Sequence, residues 1–180
     1  MTIRMAINKT LFRKILKPTL LALSCAFFLA FTHQITKKTI ESNQRQYEER
    51  LLREMVNGAE LEKSSSGYNV FREGTQIGTI EQLTTSHGYN GKIDLLIALT
   101  LTSLTGDREV ISVRVTHHEE TPGIGDKIEP EVSTWIHQFV GKSAHHTNWT
   151  LSPEGDIDII SGATITARAV TNAIAETLAE

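Results

Sequence analysis

Cysteine is nearly absent from this 180-residue chain. Cys25 is the only one, which rules out an intramolecular disulfide and leaves the redox compartment open. Metal-ligand spacing is missing as well. His117 and His118 close a predicted strand, where neighbouring side chains point to opposite faces, and His145 and His146 stand in a polar stretch, so no metal site is expected. No GxxxxGK[ST], GxGxxG or GxSxG occurs, which removes support for nucleotide hydrolysis, Rossmann binding and serine hydrolase chemistry. There is no internal repeat and no low-complexity segment. Acids are absent from residues 1–17, which hold Arg4, Lys9, Arg13, Lys14 and Lys17. The other 13 basic side chains face all 21 acids, and so acidic a body repels phosphate backbones: no nucleic-acid partner is expected. What remains is ordinary globular material, 39% hydrophobic and 22% charged, at a length that fits one domain.

After the basic cluster comes PTLLALSCAFFLAFTHQI, residues 18–35. Its strictly apolar part is about 15 residues, short of the roughly 20 that span hydrocarbon. Ile15, Leu16, Ser24 and Thr32 extend it, and Lys14 and Lys17 can snorkel to the interface. A cleaved signal peptide and an uncleaved anchor both have this length; no small-x-small cleavage site follows, which favours the anchor. A lipoprotein reading through Cys25 is weak, because more apolar residues follow it. Positive charge before the span predicts a cytoplasmic N-terminus and an extracytoplasmic body.

Residues 36–57 lack Pro and Gly, and Ile40, Tyr47, Leu51, Leu52, Met55 and Val56 recur at helical spacing, with Gly58 as the stop. The expected organisation is a basic N-terminus over 1–17, the anchor over 18–35, a connecting helix within 36–63 and a folded body over 64–180. In the body, YNVF, the Glu73-Gly74 turn and TQIGTIEQL predict a β-hairpin. KIDLLIALT and EVISVRVTH predict two further strands around a turn at Thr105-Gly106-Asp107. Val132, Trp135, Ile136, Phe139 and Val140 predict a helix over 131–140. Ile165, Ala169, Ala173 or Ile174, and Leu178 predict an amphipathic helix over 162–179. Strands closed by helices make the fold class α+β.

Two stretches invite chemistry. In DIISGATITARAV, residues 158–170, Ser161 sits where an N-cap belongs. The backbone N–H groups of Gly162, Ala163 and Thr164 would then form a phosphate seat at a helix N-terminus. From the residues alone, Ser161 as a plain cap is the better reading. In HHEETPGIGDK, residues 117–127, Pro122, Gly123 and Gly125 build an ordered bend that presents Glu119, Glu120 and Thr121. Ligand contact and a purely structural turn are equally compatible with it.

The combination is more specific than its parts. Asp158-Ile-Ile-Ser161-Gly162-Ala163-Thr164 resembles the D-x-x-[ST]-G-A-T signature of the covalent FMN-binding domain family, and Glu120-Thr121-Pro122-Gly123-Ile124-Gly125 resembles that family's E-T-P-G-x-G loop. Gly88-Tyr89 resembles its glycine-tyrosine segment, although Asn90-Gly91-Lys92 departs from the more usual Gly-Pro ending. Within the family the chain looks most like the single-span G subunits of Rnf-type (Rsx) ion-translocating complexes. The flavin subunit of sodium-pumping NADH:quinone reductases is a close relative.

The resemblance implies one FMN-binding domain of antiparallel strands packed with helices, behind a single transmembrane helix. It implies FMN joined by a phosphoester to Thr164, placed there by a flavin transferase during maturation. Ser161, Gly162 and Ala163 would hold the phosphate, and Asp158 would serve recognition by the transferase. Glu120, Thr121, Pro122 and Gly123 would contact the isoalloxazine ring, with Tyr89 nearby. It further implies an electron-carrying subunit, with other subunits as partners, in a bacterial inner-membrane complex that couples electron relay to ion translocation. The FMN domain would be periplasmic, with no catalytic residue independent of the flavin and no substrate turnover of its own. The rival readings are a membrane-tethered flavin sensor or regulator, and a non-flavin extracytoplasmic scaffold.

Overall fold

Helix formers uninterrupted by glycine make one long helix, α1 (Lys9–Met55), in the computed structural model, which describes residues 9–102 and 106–179. Arg4 of the basic cluster and part of the predicted Thr105-Gly106-Asp107 turn lie outside the described residues. The 27-residue stretch Lys14–Ile40 is long and apolar enough to cross a membrane. At 1.5 Å per residue it measures about 40 Å, against a hydrocarbon core of about 30 Å. The hydroxyls of Thr19, Ser24, Thr32 and Thr36 donate to carbonyls three or four residues back, so the stretch satisfies its own polar groups.

The helix ends in a Schellman turn. Gly58 N–H reaches the Arg53 carbonyl at 2.9 Å and Asn57 N–H the Glu54 carbonyl at 3.4 Å. Asn57, with φ 51°, takes the left-handed position that the sequence pattern assigns to the glycine one residue on. The chain divides between Tyr47 and Glu48 into two units, and all that follows concerns the second.

That unit is an antiparallel sheet of five strands in meander order, followed by short turns and a helix. The strands are β1 (Glu60–Lys63), β2 (Gly67–Arg72), β3 (Thr75–Thr85), β4 (Ile93–Thr100) and β5 (Val110–His118). β1 falls inside the segment 36–63 expected to connect as helix; it pairs with β2 from Glu60↔Phe71 to Lys63↔Tyr68. β2 and β3 meet through Glu73-Gly74, whose φ values of 52° and 76° are those of a two-residue hairpin turn matching sheet twist.

Both faces of the sheet are covered, which is why β4 reads as an almost unbroken apolar run. Ile93, Leu95, Ile97 and Leu99 enter the larger core with Phe139, Ile157, Val170 and Ile174. Ala98 enters a smaller one with Val70, Ile80 and the end of α1 at Leu52, Met55 and Val56. Each of these large buried aliphatic side chains contributes roughly 1.5–3 kcal/mol.

The α-helix predicted over 131–140 is instead a 3₁₀ turn, Trp135–Phe139, preceded by another at Asp126–Ile128. Two anchors leave no room for more. Ser133 Oγ accepts the Trp135 amide at 3.1 Å, and the chain joins the sheet edge at once afterwards, with Gly141 N–H on the Val110 carbonyl and Val110 N–H on the Lys142 carbonyl. Three-residue periodicity then buries Ile136 with Phe139 and leaves Val132 and Val140 exposed rather than in the core.

The last helix, α2 (Thr164–Ala179), also differs from its predicted stripe. Ala169, Ile174 and Leu178 are buried as expected, but Ile165 is 51% exposed, and Thr166, Ala167, Val170 and Thr171 complete the inward face.

Candidate functional site

Three separate chain segments converge at the start of α2: the β3–β4 connection (residues 86–92), the loop after β5 (residues 119–125) and residues 160–166. Glu120 joins them. Its carboxylate is buried, with Oε1 accepting the Asn90 amide at 3.1 Å and Oε2 accepting the Thr166 hydroxyl at 2.6 Å. The Asn90 side chain adds bonds to the Glu119 carbonyl (2.9 Å) and Thr121 Oγ1 (3.2 Å). Asn90, which departs from the family pattern, thus fastens one segment to the next.

Behind Glu120, its own amide donates to His118 Nδ1 at 3.0 Å, so Nδ1 is the acceptor nitrogen and Nε2 faces Glu129 Oε1 at 2.6 Å. Within the loop, Ile124 and Gly125 both donate to the Thr121 carbonyl, and Gly123 N–H donates to Asp126 Oδ2 at 2.8 Å. The bend is self-supporting. Nearby on β4, burial works to raise the Asp94 pKa, but hydrogen bonds from Thr84 (2.7 Å) and Lys92 (2.9 Å), with the Lys92 charge, hold it below the usual carboxylate value.

The convergence leaves a cavity of about 470 Å³, lined by Tyr89, Glu120, Thr121, Ile124, Gly125 and residues 162–166. Its size falls in the range of small-molecule and cofactor sites. Tyr89, Ile124 and Ile165 turn large apolar side chains outward around it, at 68%, 45% and 51% exposure. Here lies the reason Ile165 leaves the core: it belongs to the cavity wall.

The polar end of the cavity is the helix start. Ser161 does not cap α2. It sits exposed in a turn with Gly162, whose φ of 83° swings the chain so that Ala163 is the residue before the helix. Ala163 N–H bonds back to the Ile160 carbonyl at 2.9 Å, and the first helical bond is Ala167 N–H to the Ala163 carbonyl. Alanine brings no oxygen to this position and is among the poorest N-caps, so the amides of Thr164, Ile165 and Thr166 have no intrahelical partner and no side-chain cap from the residue before them. Uncapped donors and a positive helix end opening on an apolar-walled cavity fit a ligand with an anionic group and a flat apolar body, as FMN has.

Of the residues expected from sequence, the structure brings Tyr89, Glu120, Thr121, Gly162, Ala163 and Thr164 to this cavity. Asp158, Ser161, Pro122 and Gly123 are exposed and outside its lining. Asp158 is held by its backbone: its carbonyl accepts the Trp135 indole N–H at 2.6 Å and its amide donates to Gln138 Oε1 at 2.7 Å. Ile124, Gly125, Ile165 and Thr166 also line the cavity, where sequence reasoning had given them no role, although their place in or beside the two motifs was a usable signal. Thr164, the first helical residue, is exposed, whereas Thr166 is fully buried.

Comparison with known proteins agrees with this geometry. The family model of the FMN-binding domain matches residues 88–179, just over half of the chain, and that of the RnfG N-terminal region matches residues 19–55. The G subunit of the ion-translocating oxidoreductase complex of Photorhabdus laumondii is 40% identical over 114 residues, covering 61% of this chain and 52% of that protein. The corresponding G subunit of Cronobacter sakazakii is 38% identical over 125 residues (67% and 58%), and that of Pectobacterium atrosepticum 34% over 178 residues (86% and 82%). The chain thus spans little more than half the length of the first two relatives.

Proposed function

The chain belongs to the FMN-binding domain family, and on that premise we propose that it is the membrane-anchored flavoprotein subunit of an ion-translocating oxidoreductase complex. FMN is held by a phosphoester to Thr164. The observation that carries this reading is the exposed Thr164 hydroxyl at an uncapped helix N-terminus, facing a cavity with apolar walls. Transfer of the FMN phosphoryl group from FAD by a flavin transferase forms one Oγ–P bond, breaks the pyrophosphate bond and releases AMP. The phosphodiester keeps one negative charge beside the positive end of α2. Thr166 is no competing acceptor, since it is fully buried and its hydroxyl is committed to Glu120.

Once bound, FMN supplies reversible one- or two-electron transfer. The chain's own residues bind and orient it. The amides at 164–166 take the phosphate, Tyr89, Ile124 and Ile165 cover the ring, and the Thr121 turn fixes the loop against it. Asp158, exposed in side chain and pinned in backbone, is left for recognition by the transferase. Covalent attachment keeps the cofactor on an extracytoplasmic domain from which free FMN would diffuse away.

Five basic residues precede the span, against Lys37 and Lys38 at its other end, which supports a cytoplasmic N-terminus and a periplasmic flavin domain in a bacterial inner membrane. The match of residues 19–55 to the RnfG N-terminal region favours this subunit over the quinone-reductase relative. The partners are the remaining subunits of the complex, between which electrons pass as ions cross the membrane.

Intact mass of the full chain, made with and without a flavin transferase, tests the proposal. A gain of one FMN less water, mapped to the peptide containing Thr164 and lost in Thr164→Val, is the expected result. A flavin that stays attached in Thr164→Val refutes the assignment.

A further inference from the structure

The attachment motif is a local stretch, yet the structure ties its geometry to a carboxylate far earlier in the chain. Glu120 fills a slot that only glycines leave open: a Cβ at Gly88 would stand 2.6 Å from Oε1, and one at Gly125 would stand 2.9 Å from Oε2. The carboxylate cannot swing aside, and each oxygen grips a different segment, Asn90 N–H on one and the Thr166 hydroxyl on the other. Residues two apart on a helix lie about 200° apart around its axis. Holding Thr166 inward therefore turns Thr164 outward, and it seats the uncapped amides of the first turn against the cavity. A first turn with no cap of its own is the part of a helix most prone to fray.

We infer that Glu120 is a positioning residue for flavin attachment. By clamping Thr166 it holds the first turn of α2 in the conformation the transferase must meet, so residues outside the Asp-x-x-Ser-Gly-Ala-Thr stretch govern modification at Thr164. This rests on the proposed role of Thr164. The clamp itself is a separate statement about the unmodified chain.

Two measurements on the full chain test it, with Thr166→Val, Thr166→Ser and Glu120→Gln. The first is amide hydrogen exchange at residues 167–170, the first hydrogen-bonded amides of α2, in protein made without transferase. The second is the rate at which FMN becomes attached when purified transferase and FAD are supplied. Thr166→Val removes the hydroxyl, and exchange should rise about ten-fold or more, with attachment slowed to match. Thr166→Ser keeps the donor and should restore both to within about two-fold of wild type. Glu120→Gln can still accept from Asn90 and donate to Thr166 Oγ1, so it should lie nearer wild type than Thr166→Val. Such rescue by the hydroxyl alone is not expected of a residue that merely fills space.

Wild-type exchange and attachment in Thr166→Val would overturn the inference, as would a Thr166→Ser variant impaired as badly as Thr166→Val. If Thr164→Val still accepts flavin, the acceptor assignment fails, and the exchange measurements decide the clamp on their own.

Discussion

Replacing Phe139 by alanine tests the core behind the site. The ring is fully buried, meets Trp135 edge-on at 5.2 Å between centroids and lies parallel to Trp149 at 6.2 Å. Truncating a buried phenylalanine costs about 3–5 kcal/mol from lost transfer energy and the cavity left behind. Two aromatic neighbours that lose their partner place this site in the upper half of that range. The unit from Glu48 onward has about 130 residues, which at roughly 0.05–0.15 kcal/mol per residue gives a total stability near 7–20 kcal/mol. Phe139→Ala should therefore stay folded at 25 °C while its melting temperature falls by about 10–20 °C. Thermal and urea denaturation of the full chain in mild detergent, followed by far-UV circular dichroism, measures the loss. Both tryptophans of the chain lean on this ring, so their emission should shift to the red in the folded variant. Val140→Ala is the matched control. Helical spacing would bury Val140 beside Phe139, whereas the 3₁₀ turn leaves it 53% exposed, so its loss should cost no more than about 0.5 kcal/mol. Equal costs for the two substitutions would refute the 3₁₀ arrangement, and a Phe139→Ala cost below about 1.5 kcal/mol would refute the packing argument.

Gly88→Ala places a methyl 2.5 Å from the Gly91 carbonyl as well as against Glu120, and overpacking of this kind should destabilise by about 1–3 kcal/mol; an unchanged urea midpoint would contradict it. Asp107, at the β4–β5 connection, is held at a pKa of about 2, below its usual 3.8, by hydrogen bonding to Ser143 against an opposing burial effect, with help from His146 at 3.0 Å and His145 at 3.4 Å. A carboxylate depressed by folding contributes stability that is complete above the unfolded value near 3.8 and is lost as pH falls toward 2. The melting-temperature gap between wild type and Asp107→Asn should thus narrow across that interval, and a gap constant with pH would show that the aspartate's charge is not involved. Arg108 bridges Glu81 at 2.8 Å and the Thr177 carbonyl in the last turn of α2 at 2.7 Å. Arg108→Ala should lower stability by about 1–3 kcal/mol and speed amide exchange at the C-terminal end of α2; no change at that end would remove the bridge from the account.

The sheet was legible because its signals are local. Glu73-Gly74 can scarcely be anything but a tight turn, and β4 is apolar nearly from end to end because both its faces are covered. β1 was not, since four residues reading Glu-Leu-Glu-Lys carry one apolar side chain, and only pairing with β2 makes them a strand. The 3₁₀ turn and the rotated stripe of α2 share another cause: apolarity is a poor guide where polar groups are satisfied inside. Thr171 enters the core because its hydroxyl donates to the Ala167 carbonyl at 2.8 Å, and Thr166 because Glu120 accepts from it. Each displaces an apolar residue from the expected face.

The same exchange of places defines the site. In the first turn of α2 the hydroxyl of Thr166 points to the core and the branched aliphatic side chain of Ile165 to solvent, the reverse of what burial energies favour for a helix with no ligand. Exposing one isoleucine in this way forgoes roughly 1.5–3 kcal/mol of burial. Tyr89 and Ile124 are exposed across the same opening, so the arrangement repeats on all three segments and is not an accident of one helix. Short motifs could point to the attachment residue, but they could not show that Asn90, Glu120 and Thr166 hold it in place, because those contacts span 30 and 46 residues. An apolar body resting on Tyr89, Ile124 and Ile165 would recover the burial that the isolated domain gives up. Flavin loading should therefore raise the melting temperature by several degrees, and Ile165→Ser should abolish most of that rise while leaving the unloaded protein nearly unchanged. A loaded protein that melts where the unloaded one does would mean that the ring lies elsewhere.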